Sequence, residues 1–167
     1  YKELVRILRD YGEEKYASSI AKNIIKFREK KNIETTFELV DIIRQSMPYK
    51  AIREGHPARR SFQAIRIEVN HELDVLNKGL HDAIKMLNIG GRVCVISFHS
   101  LEDKMVKKIF ESYSELSPEI KKLPFIPDEY LPKYKVISKG IVASENELTE
   151  NSRSHSARLR VLEKIRD

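Results

Sequence analysis

The stretch Gly90-Gly91-Arg92-Val93-Cys94-Val95-Ile96-Ser97-Phe98-His99-Ser100-Leu101-Glu102-Asp103 decides the fold. A Gly-Gly turn runs into a short continuous apolar segment, the pattern of a strand buried on both faces. Such strands belong to parallel sheets with helices on either side, which predicts an α/β architecture. Ser100 to Asp103 has the spacing of a capping box with Asp in place of Glu, so Ser100 is expected as the N-cap. The helix behind it carries Met105, Val106, Ile109, Phe110 and Tyr113 on one stripe. Ser97, Phe98 and His99 are thereby placed in a loop at the carboxyl end of a strand. Open α/β sheets bind ligands at that edge.

Several chemistries compete for this loop. Ser97, His99 and Ser100 suggest a hydrolase, but there is no Gly-x-Ser-x-Gly elbow. His99 with Glu102 and Asp103 suggests a metal, yet no second histidine follows at ligand spacing, and no metal is expected. His99 reads equally as an active-site residue and as a hydrogen-bonder at the start of a helix.

Upstream lies the longest periodic segment of the chain. Phe62, Ile65, Val69, Leu73, Leu76, Leu80, Ile84 and Leu87 recur in steps of three and four, with a bend expected at Asn77-Lys78-Gly79. The opposite face of its first turns carries Arg59, Arg60, Gln63, Arg66 and Asn70. As a plain solvated face these five need no explanation. As a functional set, the amides suit base edges and the arginines suit phosphate. Lys50 to Pro57 is expected to be a linker, with a boundary at Gly55-His56-Pro57.

Before that boundary the chain reads as a small helical module. Leu4, Val5 and Leu8 stripe a first helix broken at Gly12. Glu13 and Glu14 are expected to open a second, with Tyr16, Ala17, Ile20, Ile24 and Phe27 inward. Thr35 and Glu38 form a capping box for a third that stops before Pro48.

Downstream, a proline-punctuated loop leads to two strand candidates, Tyr134 to Ser138 and Ala157 to Val161. Between them the polar Asn151-Ser152-Arg153-Ser154-His155-Ser156 is either a solvated connection or a phosphate holder.

Composition bounds these readings. A chain of 167 residues with 41% hydrophobic residues has enough apolar sequence for a core. No run approaches the roughly 20 apolar residues of a membrane span. The single cysteine, Cys94, excludes a disulfide framework and suits a reducing cytosol. The net charge of +6 is spread along the chain without a basic block, so a polyanion partner is allowed but not demanded.

Taken together, these motifs resemble a known family. His56-Pro57-Ala58-Arg59-Arg60-Ser61-Phe62-Gln63-Ala64-Ile65-Arg66-Ile67, followed by Val69-Asn70-His71-Glu72-Leu73, is similar to a hallmark of the bacterial small-subunit rRNA cytosine-N4 methyltransferases (the RsmH or MraW family). Ser97 to Asp103 resembles their second hallmark, and Asn151 to Val161 their closing Asn-Pro-Arg-Ser-Arg-Ser-Ala-Lys-Leu-Arg motif. Tyr11-Gly12-Glu13-Glu14 and Thr35-Thr36-x-Glu38-Leu39 match as well. The departures are Lys104 for Arg, Ser152 for Pro and His155 for Arg.

The resemblance implies the C-terminal part of a Rossmann-like methyltransferase sheet plus the remainder of an inserted all-α subdomain. Residues 1–55 would be the helical remainder and 56–167 the C-terminal half of the methyltransferase domain. It implies S-adenosylmethionine as cofactor, held mainly by an N-terminal half that this chain, opening on Tyr1 in mid-helix pattern, does not supply. No cofactor-binding residue is therefore expected here, and the chain alone is expected to be inactive and poorly soluble. The implied partner is 16S rRNA of the small ribosomal subunit, in the cytoplasm.

On this reading Ser97, His99 and Asp103 are the candidate catalytic residues, as acceptors for an amino proton of cytosine; the competing reading puts that acceptor in the half this chain does not supply. Phe98 either packs under the base or joins the core. Arg59, Arg60, Gln63, Arg66, Asn70, Arg153 and Arg158 are the candidate RNA contacts. Two alternatives remain at this point. One is a non-catalytic RNA-binding or ribosome-assembly module, and the other is an unrelated helical interaction protein.

Overall fold

The computed structural model describes residues 1–53 and 55–167; Glu54, in the expected linker, lies outside the described residues. The chain divides into two compact units, Tyr1–Glu72 and Leu73–Asp167.

The first unit is helical: α1 (Lys2–Asp10), α2 (Ala17–Arg28), α3 (Thr36–Gln45), the short α4 (Tyr49–Arg53) and α5 (Arg59–Asn70). Its core gathers Leu8, Ile20, Ala21, Ile24, Ile43, Ala58 and Ala64. Thr35 caps α3 as expected: its hydroxyl accepts the Glu38 N–H while Glu38 accepts from the Thr35 backbone. Three expectations need correction. The second helix starts at Ala17, because Glu14 is buried and its carboxylate accepts the Tyr16 N–H, closing a turn instead of a helix. The first residues of the expected linker belong to α4. The buried face of α5 is Ser61, Ala64 and Ile67, not the bulky Phe62–Ile65–Val69 stripe; Val69 is 70% exposed.

Gly12 explains that phase. A Cβ on Gly12 would lie 2.6 Å from the Leu8 carbonyl oxygen, 2.8 Å from that of Arg60 and 3.2 Å from the Ala64 Cβ. Small residues let α5 approach the end of α1 backbone to backbone, and a bulky stripe there would hold them apart.

The long periodic segment is two helices, α5 and α6 (Glu72–Lys85). The break falls at His71, which takes the left-handed conformation (φ 51°) and ends α5. Gly79, where the bend was expected, sits within α6.

The second unit carries the sheet. β1 (Arg92–Ser97) is followed by α7 (Ser100–Ser114), β2 (Tyr134–Val142), the short α8 (Glu145–Glu150) and β3 (Arg158–Lys164). The strand order is β1-β3-β2, with both pairings antiparallel. The expectation of a parallel strand buried on both faces is thus not met among the described residues. β1 alternates instead: Val93, Val95 and Ser97 turn toward the core, while Arg92, Cys94 and Ile96 are exposed.

The core face packs under α6 and α7 through Leu80, Ile84, Val106, Ile109, Phe110 and Leu162. On the remaining surface Ile96, Ile137, Ile141 and Val142 are all exposed. β2 departs from regular pairing between Val136 and Ser138 and again between Ser138 and Ile141. No helix of the described residues is long and apolar enough to cross a membrane.

Candidate functional site

The carboxyl end of β1 opens into a pocket of about 350 Å³ lined by Ser97, Phe98, His99, Ser100, Asp103, Lys104, Ser156 and Arg158. Three elements build it. β1 delivers Ser97 on its core-facing phase. α7 presents Asp103 from its first turn. The segment after α8, Ser152–Ser156, and the start of β3 supply Ser156 and Arg158.

The N-cap of α7 is His99, not Ser100. Its Nδ1 accepts the Glu102 backbone N–H at 3.3 Å, and the Glu102 carboxylate accepts the Phe98 N–H at 3.1 Å. This reciprocal arrangement does the work of a capping box, shifted one residue back from the expected position. The His99 Nε2 is buried 3.3 Å from Glu102 Oε1, without a hydrogen bond among the described residues. The backbone of the loop is therefore set by His99 and Glu102 together, and Phe98 is left 56% exposed at the pocket.

Asp103 lies at the centre of an ion-pair network. Arg160 Nε donates to Oδ1 at 2.7 Å and Nη2 to Oδ2 at 2.9 Å, a bidentate pair. The Ser97 hydroxyl stands 3.4 Å from both Asp103 Oδ1 and the Arg158 carbonyl, and Arg158 Nε lies 3.8 Å from Oδ2. The Arg160 guanidinium, aided by Arg158 and Ser97, holds the Asp103 carboxyl below the usual carboxylate range. The pocket thus contains a carboxylate whose charged form is favoured by Arg160, with Arg158 and Ser97 beside it.

Arg160 is the residue that sequence reasoning missed. It is 7% exposed, and its Nη1 also donates to the Lys139 carbonyl at 2.7 Å. The signal was present: Arg160 shares the inward phase of β3 with Leu162, and an arginine there needs a buried partner. Gly140 was missed too. It adopts φ +121°, and a Cβ on it would meet Arg158 Cδ at 3.1 Å and Nη1 at 3.3 Å. The absent side chain lets Arg158 lie across β2 beside the pocket.

The other candidate residues are distributed differently. Arg59 and Arg60 line a cavity of about 340 Å³ within the helical unit, together with Lys15 and His56. Arg60 Nη1 donates to the Glu13 carbonyl and Gln63 Nε2 to that of Tyr11, both at 3.3 Å. These two side chains hold the turn between α1 and α2. Arg66 forms a bidentate pair with Glu72 at 2.7 and 2.9 Å, and Asn70 donates to the same carboxylate at 3.2 Å. Arg153 is exposed, and its backbone N–H donates to Asn151 Oδ1. Ser97, His99, Asp103 and Arg158 are therefore brought together, whereas Gln63, Arg66, Asn70 and Arg153 line neither cavity.

Comparison with known proteins places this geometry in context. Residues 1–165 match the model of the MraW methylase family. The chain is 55% identical to the ribosomal RNA small subunit methyltransferase H of Lactobacillus acidophilus, over 98% of this chain and 52% of that protein. It is 54% identical to the protein of the same name from Lactobacillus delbrueckii subsp. bulgaricus, again over 98% of this chain and 52% of the relative. For that of Exiguobacterium sibiricum the identity is 50%, over 100% of this chain and 54% of the relative. The chain thus spans about half the length of the curated relatives it matches. With the match running nearly end to end, the chain belongs to the MraW methylase family.

Proposed function

We propose that this chain forms part of an S-adenosylmethionine-dependent enzyme that methylates the exocyclic N4 of a cytidine in 16S rRNA, and that the target nucleotide occupies the pocket beyond β1. The observation that supports this reading best is the Asp103–Arg160 pair. It sets a charged acceptor beside an exposed aromatic ring and a cation, Arg158.

Each feature answers a need of the chemistry. The cytosine amino group is a weak nucleophile because its lone pair is delocalised into the ring. A fixed acceptor on one N–H draws electron density toward nitrogen and favours the rehybridised geometry of attack. Asp103 suits that hydrogen-bonding role. Its lowered pKa keeps it an acceptor of the amino hydrogen bond, and the proton that the methylated nitrogen loses goes to solvent water. The base must leave its stack to be reached, and Phe98 offers it a replacement surface. Arg158, steered by Gly140, is placed for the attached phosphate. Ser97 orients Asp103, and His99 holds the loop as N-cap of α7.

S-adenosylmethionine supplies the methyl group. The residues here do not fit it by themselves: Gly90–Gly91 precedes a strand, where a cofactor turn would follow one and lead into a helix. We assign its binding to the part of the relatives' length that this chain does not match. The Rossmann-like arrangement of the whole, with residues 1–55 as the remainder of an inserted helical subdomain and 56–167 as the C-terminal half, belongs to the same proposal. So does a cytoplasmic setting, where ribosomal subunits are assembled.

The test is methylation of 30S particles by a polypeptide of the relatives' length carrying this chain, with nucleosides resolved by mass spectrometry. N4-methylcytidine is the expected product. A methyl group on another base atom, or RNA binding without methyl transfer, overturns the reading. Asp103→Asn is expected to slow turnover on the order of a hundredfold, the size of effect of removing one positioned acceptor.

A further inference from the structure

Alongside the pocket, the sheet unit has a larger cavity that the proposed chemistry does not use. It is a groove of about 600 Å³ between α7 and the edge strand β2, continuing to Ile165 and Arg166. Its lining cations are Lys107, Lys135, Lys139, Arg160 and Arg166, against the carboxylates Glu111 and Glu115. Both carboxylates are already engaged, Glu111 by Lys107 at 3.6 Å and Glu115 by Lys121 at 3.1 Å. Arg160 is spent on Asp103. That leaves Lys135, Lys139 and Arg166, exposed and without an ion-pair partner among the described residues.

The form of the site narrows the ligand. A compact anion is best held by converging buried donors, and the one buried cation here is committed to Asp103 and the Lys139 carbonyl. Separate exposed cations along a groove suit a ligand whose charges repeat at intervals. A peptide added as a strand is disfavoured, because β2 breaks register twice and takes a positive φ at Gly140. Bulges and lysines are the devices that blunt an edge against strand addition. The groove also adjoins the pocket. Arg160 lines one and Asp103 lines the other, so their ion pair is the common wall.

We propose that this groove carries the sugar-phosphate backbone of the RNA strand on one side of the nucleotide seated beyond β1. The inference rests on the reading of the ligand as ribosomal RNA. It adds a second contact region, remote from the reacting base and electrostatic in character. Sequence is not read there, since phosphate contacts position a strand without identifying its bases.

The test is fluorescence anisotropy with the polypeptide of the relatives' length that carries this chain and a labelled single-stranded rRNA segment of about 20 nucleotides, across roughly 50 to 200 mM salt. The variant Lys135→Glu/Lys139→Glu/Arg166→Glu is expected to bind at least about tenfold more weakly at the low-salt end. The slope of log affinity against log salt should fall by about two, as for three lost phosphate contacts on a single strand. The neutral variant Lys135→Gln/Lys139→Gln/Arg166→Gln should show the same loss of slope with a smaller loss of affinity, which separates lost contacts from added repulsion. Unchanged affinity and slope in both variants overturns the proposal. So does an absence of RNA binding by the parent chain, which would leave the groove to a protein partner. No methyl transfer is measured, so failure of the enzymatic reading shows only in its own assay.

Discussion

The two units meet the problem of burying apolar surface in opposite ways. The helical unit closes on itself: each helix from α1 to α3, together with α5, turns its buried side toward one cluster, and Gly12 removes the atoms that would keep α1 and α5 apart. The sheet unit packs two helices on one face and leaves Ile96, Ile137, Ile141 and Val142 exposed. Cohesion in the first is spread over many small apolar contacts. In the second the apolar cluster is joined by an ion pair, Asp103–Arg160, where a buried cation fastens α7 to β3.

The sharpest way to break this contrast is at that ion pair. Arg160→Ala strips the buried partner from Asp103 and frees the Lys139 carbonyl, and it should cost the sheet unit roughly 3 kcal/mol, as breaking a buried pair does. Urea denaturation read by amide exchange in α7 and β3 checks it. The same pair sets an acid limit. Because the folded pKa of Asp103 is depressed, its contribution is full above the unfolded value of about 3.9 and fades as pH falls through the lower folded value. Exchange protection in α7 should therefore drop in acid before that of α1 and α2, and equal loss in both units would dissolve the contrast.

Next in size is Gly12→Val, which drives a side chain into two carbonyl oxygens and Ala64. A loss of about 2 kcal/mol is expected, confined to residues 1–72. Smaller again is Thr35→Ala, which removes the α3 cap and should lower stability by about 1 kcal/mol in thermal melts. The smallest effect is expected for Ile96→Thr on the exposed face, within about 0.5 kcal/mol. Its consequence should lie in light scattering, with less self-association on removal of an apolar group from that surface. A large destabilisation there would show that the face is buried after all.

How far the sequence discloses this architecture depends on whether the deciding physics is local. The Thr35–Glu38 box is legible because both reciprocal bonds lie within four residues. β1 and α7 are legible from an apolar run between Gly-Gly and an acidic first turn. The cap of α7 was misplaced by one residue because Ser outranks His as a capper in general, and only the geometry of the loop shows that the imidazole nitrogen reaches the Glu102 N–H. The break at His71 carries no glycine or proline to announce it. The antiparallel pairing of β1 depends on β3, which begins 61 positions after β1 ends. Of the candidate site, Ser97, His99, Asp103 and Arg158 were legible through their motifs. Arg160 was not, because its importance comes from a partner 57 positions away.

Cys94, the single thiol of the chain, lies on β1 with its side chain exposed, on the same phase as Ile96. It can therefore serve as a clock for the surface around it. An uncharged alkylating reagent should reach and modify it wherever this face meets water. Anything that settles over the neighbouring isoleucines would slow that reaction in proportion to the time it stays. The protein thus carries its own occupancy meter at the place where its packing is least complete.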